Sequence, residues 1–308
     1  MLYPIKFTPI VKPKVWGKET WSLSGMETDS SVVANGFLAG NSLPELVETY
    51  MDELVGGAVY QMYGDFFPLL FKFIDAQDDL SIQVHPDDLA AAELEQLGKT
   101  EMWYITEAHD GAIVNGFAVP TSREQVEQAL QNDSIMSLVQ RVPVQKGDVA
   151  FIEAGTVHAL CRGTQVAEIQ EASDLTYRLY DYRRPGLDGQ LRPLHIAESL
   201  EVLNYEPSEQ PLLPYERKDN SAVALAQDEH FCTNLLTFDK PVSRDYAPLD
   251  SFVAYMCTEG EVSIEALDGE QGETLILQAG ETALIPAATR DIRLTPTGTC
   301  TLLETYIV

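Results

Sequence analysis

One internal repeat limits the folds open to this chain more than any other sequence feature. Residues 144–156 read VQKGDVAFIEAGT and residues 277–289 read LQAGETALIPAAT, so the second copy follows the first at a constant offset of 133 positions. Both copies place an acidic residue after a Gly, then a short apolar stretch, then a turn that contains Ala and Thr. Short apolar stretches bounded by turn residues are typical of β-strands. We therefore predict two copies of one strand–turn–strand unit.

A strand–turn–strand unit of this kind is typical of a jelly-roll barrel of the cupin type, also called a double-stranded β-helix. Two copies in 308 residues predict a mainly β chain with two such barrels and a small helical insertion. Chance similarity between short β segments is the alternative explanation. Residues 204–219 are rich in Pro and polar side chains and read as a connection, so we place one domain at 1–211 and another at 212–308.

Two segments are predicted to be helical. The first, 43–54, follows Ser42 as an N-cap and carries Pro44 close to its start. The second covers about 121–139 and has apolar residues at helical spacing after a Thr-Ser pair. Asn, Asp and Ser at 132–134 interrupt it, so this insertion is expected to form one helix or two.

Four side chains of the first half are suited to bind one divalent metal ion. Gln83 and His85 are two positions apart and point to the same side of a strand, while Glu101 and His158 can reach that side from neighbouring strands. Mixed imidazole and oxygen ligands suit zinc or a similar ion. The alternative is two ordinary histidines in a β core.

Because Asp291 stands where the repeat would place a second His158, we expect no metal in the second half, which reads as a structural or dimer-forming module.

The charge of the chain excludes several classes of function. A net charge of −28 repels nucleic acid and anionic membranes. Stretches of about 18 apolar residues are absent, as is the apolar core of a signal peptide, so we expect a cytoplasmic protein with no membrane span. The four cysteines show no Cys-x-x-Cys spacing and are expected to be reduced and buried.

The segments around these ligands closely resemble type I mannose-6-phosphate isomerase in its short form. The resemblance runs from about Trp16 to about Arg184 and rests on several motifs together. These motifs are FPLLFKFIDA at 67–76, LSIQVHPDD at 80–88, GKTEMWY at 98–104, GTVHA at 155–159 and YRLYDY at 177–182.

The resemblance implies a metal-dependent aldose–ketose isomerase. Such an enzyme interconverts mannose 6-phosphate and fructose 6-phosphate through a cis-enediol, so its partner is a small sugar phosphate. By resemblance, one Zn²⁺ would be held by Gln83, His85, Glu101 and His158. Gln83 is the weakest of these ligands, because a neutral amide oxygen binds a metal less strongly than imidazole or carboxylate and could lie in an outer shell.

The resemblance also implies roles for four further residues. Arg178 matches an active-site arginine, which can hold an anion and stabilise an enediolate. Lys99 would share a strand face with Glu101 and is expected to contact substrate; it and Glu168 are the two candidates for the general base. Ser81 matches a residue near the substrate phosphate. The alternatives are a solvated lysine, a structural ion pair for Glu168 and a backbone-bonded hydroxyl.

Some positions depart from the family pattern or fall outside it. Glu153 precedes Ala154 where the family has Pro, so the turn before His158 gains a charge and loses a φ restraint. By resemblance, Arg183 and Arg184 could help to hold the phosphate; the alternative, which tandem arginines favour, is a solvated surface pair. His195 lies outside the motifs and is expected to be a surface or packing residue.

Three hypotheses of different classes follow. The first is the isomerase just described, possessing a complete motif set. The second is a cupin metalloenzyme acting on another substrate, such as a glucose phosphate isomerase or an iron oxygenase; Lys99 and Arg178 favour a phosphorylated sugar over an oxygenase substrate. The third is a non-catalytic sugar-binding cupin, which predicts a damaged ligand set. Cupin sites accept several divalent metals, so the sequence leaves the native metal open. A homodimer is one expected assembly.

Overall fold

The computed structural model describes residues 2–267 and 274–308. The helices are α1 (Leu43–Val55), α2 (Gly57–Tyr63), α3 (Asp88–Ala92), α4 (Arg123–Gln131) and α5 (Ile196–Val202), with 3₁₀ turns at Glu27–Asp29 and Ile135–Ser137. The strands are β1 (Ile5–Thr8), β2 (Ile10–Lys14), β3 (Gly17–Ser24), β4 (Val32–Val33), β5 (Leu69–Ala76), β6 (Ile82–Val84), β7 (Glu101–Ala108), β8 (Ala112–Phe117), β9 (Val139–Pro143), β10 (Val149–Ile152), β11 (His158–Leu160), β12 (Thr164–Glu171), β13 (Tyr177–Tyr180), β14 (Ser221–Gln227), β15 (Cys232–Phe238), β16 (Val242–Asp245), β17 (Val253–Glu259), β18 (Glu261–Ala266), β19 (Leu275–Gln278), β20 (Thr282–Ile285), β21 (Asp291–Pro296) and β22 (Cys300–Tyr306).

The chain divides into two compact units. The central unit consists of Val11–Thr20 and Phe73–Leu213, and the terminal unit consists of Met1–Ile10, Trp21–Lys72 and Pro214–Val308. A single cut near residue 212 stays a prediction. The C-terminal border of the central unit falls close to that cut, but the terminal unit also draws in N-terminal segments, because β1 pairs with β20 of its seven-stranded sheet.

The terminal unit is built from two antiparallel sheets. The seven-stranded sheet has the order β14-β15-β22-β17-β20-β1-β4, and the four-stranded sheet has the order β16-β21-β18-β19. Phe238 and Tyr255 of the first sheet share one core with Ile264 and Leu294 of the second. Alternate residues of each strand therefore face a common apolar interior, as expected for two sheets packed face to face.

The central unit repeats this plan. A five-stranded sheet has the order β13-β6-β11-β8-β9, and β7, β10 and β12 belong to a six-stranded sheet with the order β10-β7-β12-β5-β3-β2. Trp103 and Ile105 of β7 share a core with Ile113 and Leu160 of the five-stranded sheet. The chain is thus mainly β, as predicted, and two sheet pairs are consistent with two jelly-roll barrels.

The repeat corresponds to equivalent strands of the two units. β20 begins at 282 and β10 at 149, and they pair with β17 and β7, respectively. The glycines of the preceding turn, Gly147 and Gly280, both have positive φ angles, of 92° and 89°. The position of Glu101, which is paired with Ile152, corresponds to Val253, which is paired with Ile285. An apolar residue therefore stands in the terminal unit where the central unit has a carboxylate.

Both predicted helices begin directly after a serine N-cap. Ser42 and Glu45 form a capping box at the start of α1, and Ser122 and Gln125 form another at α4. The helical insertion ends earlier than 139, since α4 stops at Gln131, a 3₁₀ turn follows, and β9 begins at Val139. The short helices α2, α3 and α5 were not predicted.

Helices cover the outer face of the five-stranded sheet. Val126 of α4 and Leu200 of α5 pack on Val84, Val114 and Leu179 of that sheet. Side chains at alternate positions of the same strands must face the other way, toward the six-stranded sheet. All four cysteines are buried and free, as predicted. Among the described residues, no helix has both the length and the apolar character needed to cross a bilayer.

Candidate metal centre

The alternation of side chains along the strands of the central unit directs the predicted ligands toward one another. Gln83 lies between Ile82 and Val84, which pack under the helices, so its side chain is directed to the inner face. His158 shares the inner face with Leu160, and Glu101 shares that of Trp103. The main-chain register places His158 directly opposite Gln83.

Three of the four predicted ligand side chains converge at one point. The Nε2 atoms of His85 and His158 are 3.1 Å apart. A carboxylate oxygen of Glu101 lies 3.6 Å from His85 Nε2, and the other lies 3.5 Å from His158 Nε2. Donor atoms bound tetrahedrally to one zinc ion at 2.0–2.1 Å are about 3.3 Å apart. The three side chains are fully buried and already near that spacing.

Main-chain carbonyls fix which imidazole nitrogens face the centre. The Nδ1–H of His85 donates to Leu175 O at 2.7 Å, and that of His158 donates to Thr156 O at 2.8 Å. With Nδ1 protonated, a neutral imidazole presents the lone pair of Nε2. Two lone pairs therefore point toward each other and toward a carboxylate, an arrangement that a cation stabilises.

Glu101 supports the same conclusion. Within the part of the chain that the structure describes, neither carboxylate oxygen of Glu101 has a hydrogen-bond donor, although both are buried. A buried carboxylate without donors is strongly unfavourable unless a positive charge compensates for it. The side chain of Lys99 supplies one such charge, with Nζ 3.1 Å from Glu101 Oε2. The donor set fits a divalent metal ion.

Burial keeps His158 neutral. Loss of solvent lowers the pKa of His158 to about 4; the hydrogen bond to Thr156 acts in the opposite direction, and the charge of Lys99 lowers the pKa further. At neutral pH the imidazole is therefore unprotonated on Nε2 and can act as a metal ligand without first losing a proton.

Gln83 sits at the edge of the cluster. Its Nε2 atom lies 3.2 Å from His158 Nε2, and its Oε1 atom accepts a hydrogen bond of 3.2 Å from Ser81 Oγ. A half turn of the amide would bring Oε1 to the centre instead of Nε2. The buried hydroxyl of Ser81 thus contacts the amide, two residues away on the same strand face.

The two candidate bases occupy different positions. Lys99 is buried, and its Nζ atom is 2.9 Å from His85 Nε2, so it lies directly against the ligands. Glu168 is also buried, and its Oε2 atom accepts a hydrogen bond of 2.9 Å from Trp103 Nε1. The Trp103 ring in turn meets the His158 ring edge-on, at 5.7 Å between centroids. The Trp103 indole therefore connects Glu168 to the ring of His158.

Arg178 joins the same sheet face from β13. It is paired directly with Gln83, so the two side chains share a side of the sheet. Its Nη1 donates to Pro193 O at 2.9 Å, while its buried Nε has no hydrogen-bond partner among the described residues. Burial, and then the neighbouring charge of Arg192, lower the pKa of Arg178. Even so, a guanidinium remains charged at neutral pH and can bind an anion.

The other two arginines of this segment differ in exposure. Arg183 is exposed and forms an ion pair of 2.6 Å with Asp133 on the surface. Arg184 is mostly covered and binds Asp181 at 3.0 Å and Asp78 at 3.4 Å. The prediction of a solvated pair is therefore correct for Arg183 and wrong for Arg184.

Sequence reasoning missed the residues that hold the ligands in place. Thr156 and Leu175 act through carbonyl oxygens, which carry no sequence signal. His195, expected to be a surface or packing residue, bonds to the main chain of Arg178. Its position at the start of a helix after a Pro-Leu pair gave no indication of that contact.

Comparison with known proteins relates the chain to one enzyme family. The family model described as phosphomannose isomerase type I, catalytic domain, matches residues 6–121. ManA, a mannose-6-phosphate isomerase of Bacillus subtilis (strain 168), is 39% identical over 219 residues, covering 65% of this chain and 68% of ManA. YvyI of the same strain is 33% identical over 99% of both chains.

The solved structures extend the similarity to the whole fold. The crystal structure of the mannose 6-phosphate isomerase from Bacillus subtilis superposes with a TM-score of 0.87 at 30% sequence identity, covering 99% of this chain and all of that one. Full-length similarity at this level, together with the catalytic-domain match, shows that the chain belongs to the type I mannose-6-phosphate isomerase family of isomerases.

Proposed function

We propose that the chain interconverts mannose 6-phosphate and fructose 6-phosphate through a cis-enediol, with one Zn²⁺ bound by His85, Glu101 and His158. The observation that carries this proposal is the convergence of two Nε2 lone pairs on a buried carboxylate that lacks hydrogen-bond donors. Gln83 is proposed as the fourth ligand, through its Oε1 after the half turn described above. A zinc ion bound there would polarise a carbonyl or hydroxyl oxygen of the open-chain sugar.

The reaction places three demands on the protein. A proton must leave C2 of the aldose and be delivered to C1 of the ketose, the enediol oxygens must be stabilised as charge develops, and the phosphate must be held. Arg178 is proposed to serve the second and third demands, because its guanidinium presents several donors in a plane. Ser81 is proposed to contribute a hydroxyl near the phosphate.

The proton transfer is proposed to use Lys99 or Glu168. Lys99 is proposed to accept the proton from one carbon and return it to the other. Its contact with His85 and Glu101 supports this role, since any sugar oxygen near those ligands brings its carbons close to Nζ. Glu168 is the alternative, and its bond from Trp103 would keep one carboxylate oxygen occupied.

A coupled assay of mannose 6-phosphate turnover tests the proposal. The protein is assayed as purified, after chelation and after zinc is restored, alongside Arg178→Ala and the surface control Arg183→Ala. Metal-dependent turnover that falls at least about hundredfold in Arg178→Ala, and not in Arg183→Ala, supports the proposal. Absence of turnover in protein with confirmed bound zinc would refute it, and the same assay with glucose 6-phosphate then tests another sugar substrate.

Two expectations accompany this proposal. We propose a cytoplasmic location, where sugar phosphates are retained, and a homodimer as the assembly. Light scattering on the eluting peak of a size-exclusion column measures the mass against that of one 34.1 kDa chain.

A further inference from the structure

One short segment of the central unit holds Arg178 at three points. The N–H of His195 donates to Arg178 O at 2.8 Å, and the N–H of Arg178 donates to His195 Nδ1 at 3.2 Å. Two residues before His195, the carbonyl of Pro193 accepts from the guanidinium at 2.9 Å. Main chain and side chain of Arg178 are thus held by the same stretch.

Arg178 needs such support because of its place in the sheet. β13 has four residues and lies at the edge of the five-stranded sheet, with a register irregularity immediately after Arg178. Both main-chain polar groups of Arg178 point outward, away from β6, so the ladder does not hold them. Residue 195 takes the place of the missing neighbouring strand.

The supporting stretch is itself fixed at both ends. Asp181 accepts two hydrogen bonds of 2.6 Å from Arg192 and two further bonds from Arg184, which close the loop that leads to His195. On the other side, the carbonyl of His195 accepts from the N–H of Ser199 in the first turn of α5, at 2.9 Å. Because His195 is held at both ends, its hydrogen bonds can hold Arg178 in a fixed position.

We propose that His195 is a positioning residue for the isomerase reaction. It fixes the main chain of Arg178, through an imidazole acceptor and a main-chain donor, so that the guanidinium keeps its direction toward the face that carries Gln83 and the metal ligands. The inference rests on the function proposed above for Arg178. His195 itself is not proposed to contact substrate.

The chemistry of the contact sets the expected size of the effect. Removing the imidazole leaves the N–H of Arg178 without its acceptor and frees an edge strand to shift. Loss of one hydrogen bond together with a small displacement of a catalytic group is expected to lower kcat/KM roughly tenfold. The main-chain bond from residue 195 to Arg178 O survives any substitution other than proline.

A double-mutant cycle tests the inference in the zinc-loaded full-length protein. His195→Ala and His195→Gln both remove the acceptor from the Nδ1 position, and each is made alone and together with Arg178→Ala. We expect kcat/KM to fall roughly tenfold when His195 is changed in the native background, and by less than about twofold when Arg178 is already Ala. His195→Asn places an amide oxygen where Nδ1 stood, and is expected to retain most of the activity.

The outcomes separate the inference from the function on which it rests. If His195→Ala lowers kcat/KM by the same factor in both backgrounds, His195 acts independently of Arg178 and the inference is wrong. If Arg178→Ala leaves turnover unchanged, the proposed role of Arg178 fails and this inference fails with it. Melting temperature and zinc content are measured for each variant, and His195→Gln, which keeps the side-chain bulk, replaces His195→Ala if the latter does not fold.

Discussion

At the scale of single residues, Glu101 supplies the carboxylate of the candidate metal centre. It is fully buried on β7, its oxygens have no hydrogen-bond donors among the described residues, and its nearest positive charge is Lys99. Its counterpart in the repeat is the apolar Val253. The repeat therefore places an apolar side chain in the terminal unit where the central unit has a buried carboxylate.

Replacing this carboxylate tests its role directly. Glu101→Gln is expected to weaken zinc binding at least about hundredfold, because the negative charge that attracts the ion is lost while the shape is kept. Competition with a chelating dye measures the affinity. Glu107→Gln is the matched control, since Glu107 lies on the same strand but has a half-exposed side chain that is paired with Lys146. Equal affinity for both variants would exclude Glu101 as a ligand.

The buried His158 imidazole predicts a pH dependence of stability in the metal-free protein. Its pKa is about 4 in the folded chain and about 6.5 when solvated, so the unfolded chain takes up a proton first as the pH falls. The free energy of unfolding should therefore decrease below about pH 6.5 and down to about pH 4, by at most about 1.4 kcal/mol per pH unit from this group.

Urea unfolding of chelated protein at pH 7 and pH 5 measures this slope. His158→Asn keeps a donor for Thr156 O and removes the titrating group, so its stability should change less over the same interval. Identical pH slopes for the two proteins would show that His158 is not the group responsible.

The side chains that converge at the candidate centre could be predicted from the sequence, and the groups that hold them could not. Gln83 and His85 share a strand face by simple alternation, so their convergence is a local property of the chain. The carbonyls of Thr156 and Leu175 are available in every residue, and only the folded path of the chain selects them. The same holds for His195, which meets Arg178 across 17 positions through main-chain groups.

At the scale of elements, the turn between β10 and β11 connects the repeat to the metal ligands. Gly155 has a φ of +85°, its N–H donates to His85 O at 2.8 Å, and its carbonyl accepts from Asn204 N. A Cβ at this position would meet Val202 O at 2.9 Å. The turn thus links the strand end that carries His158 to the main chain of the other imidazole ligand.

Gly155→Ala is therefore expected to cost about 1–3 kcal/mol of stability and to weaken zinc binding. Gly280→Ala is the matched control, because Gly280 has a φ of +89° but open space where its Cβ would lie. Chemical denaturation and zinc titration of both variants separate backbone strain from the local contact. Similar losses of zinc affinity in the two variants would contradict a specific role for the turn.

Helices were predictable where their signals are local. The Ser42 and Ser122 caps lie beside the residues they cap, so α1 and α4 can be located from a few neighbouring positions. The seven-residue α2 has no side-chain cap of its own; its first N–H groups are bound by the carboxylate of Asp250, 193 positions away. Such a helix depends on tertiary structure, and no window of the sequence reveals it.

At the scale of the whole molecule, the terminal unit is assembled from both ends of the chain. β1 pairs with β20, the carbonyls of Leu54 and Val55 accept from Ala287 and Phe252, and Asp250 caps α2. Composition and repeats cannot predict such an arrangement, because strand pairing over more than 270 positions leaves no local trace. The connecting segment near 212 can be recognised in the sequence, whereas the pairing of N-terminal segments with C-terminal strands cannot.

A fragment of residues 1–211 is consequently expected to be unstable. It would lack the partner of β1 and the cap of α2, so residues that are buried in the terminal unit would be exposed. Thermal unfolding followed by circular dichroism should show no transition as cooperative as that of the full chain. Co-expression of 1–213 with 214–308 is expected to restore it. A native-like transition for 1–211 alone would favour a simple division into two successive domains.

The carbonyl contacts of the two imidazoles also bear on how this site can change over generations. Since Leu175 O and Thr156 O belong to the main chain, the side chains at these two positions are free to vary without altering the tautomer of either ligand. Substitutions at 156 and 175 are therefore expected to preserve these two contacts, whereas an insertion or deletion that redirects the chain there is expected to break them.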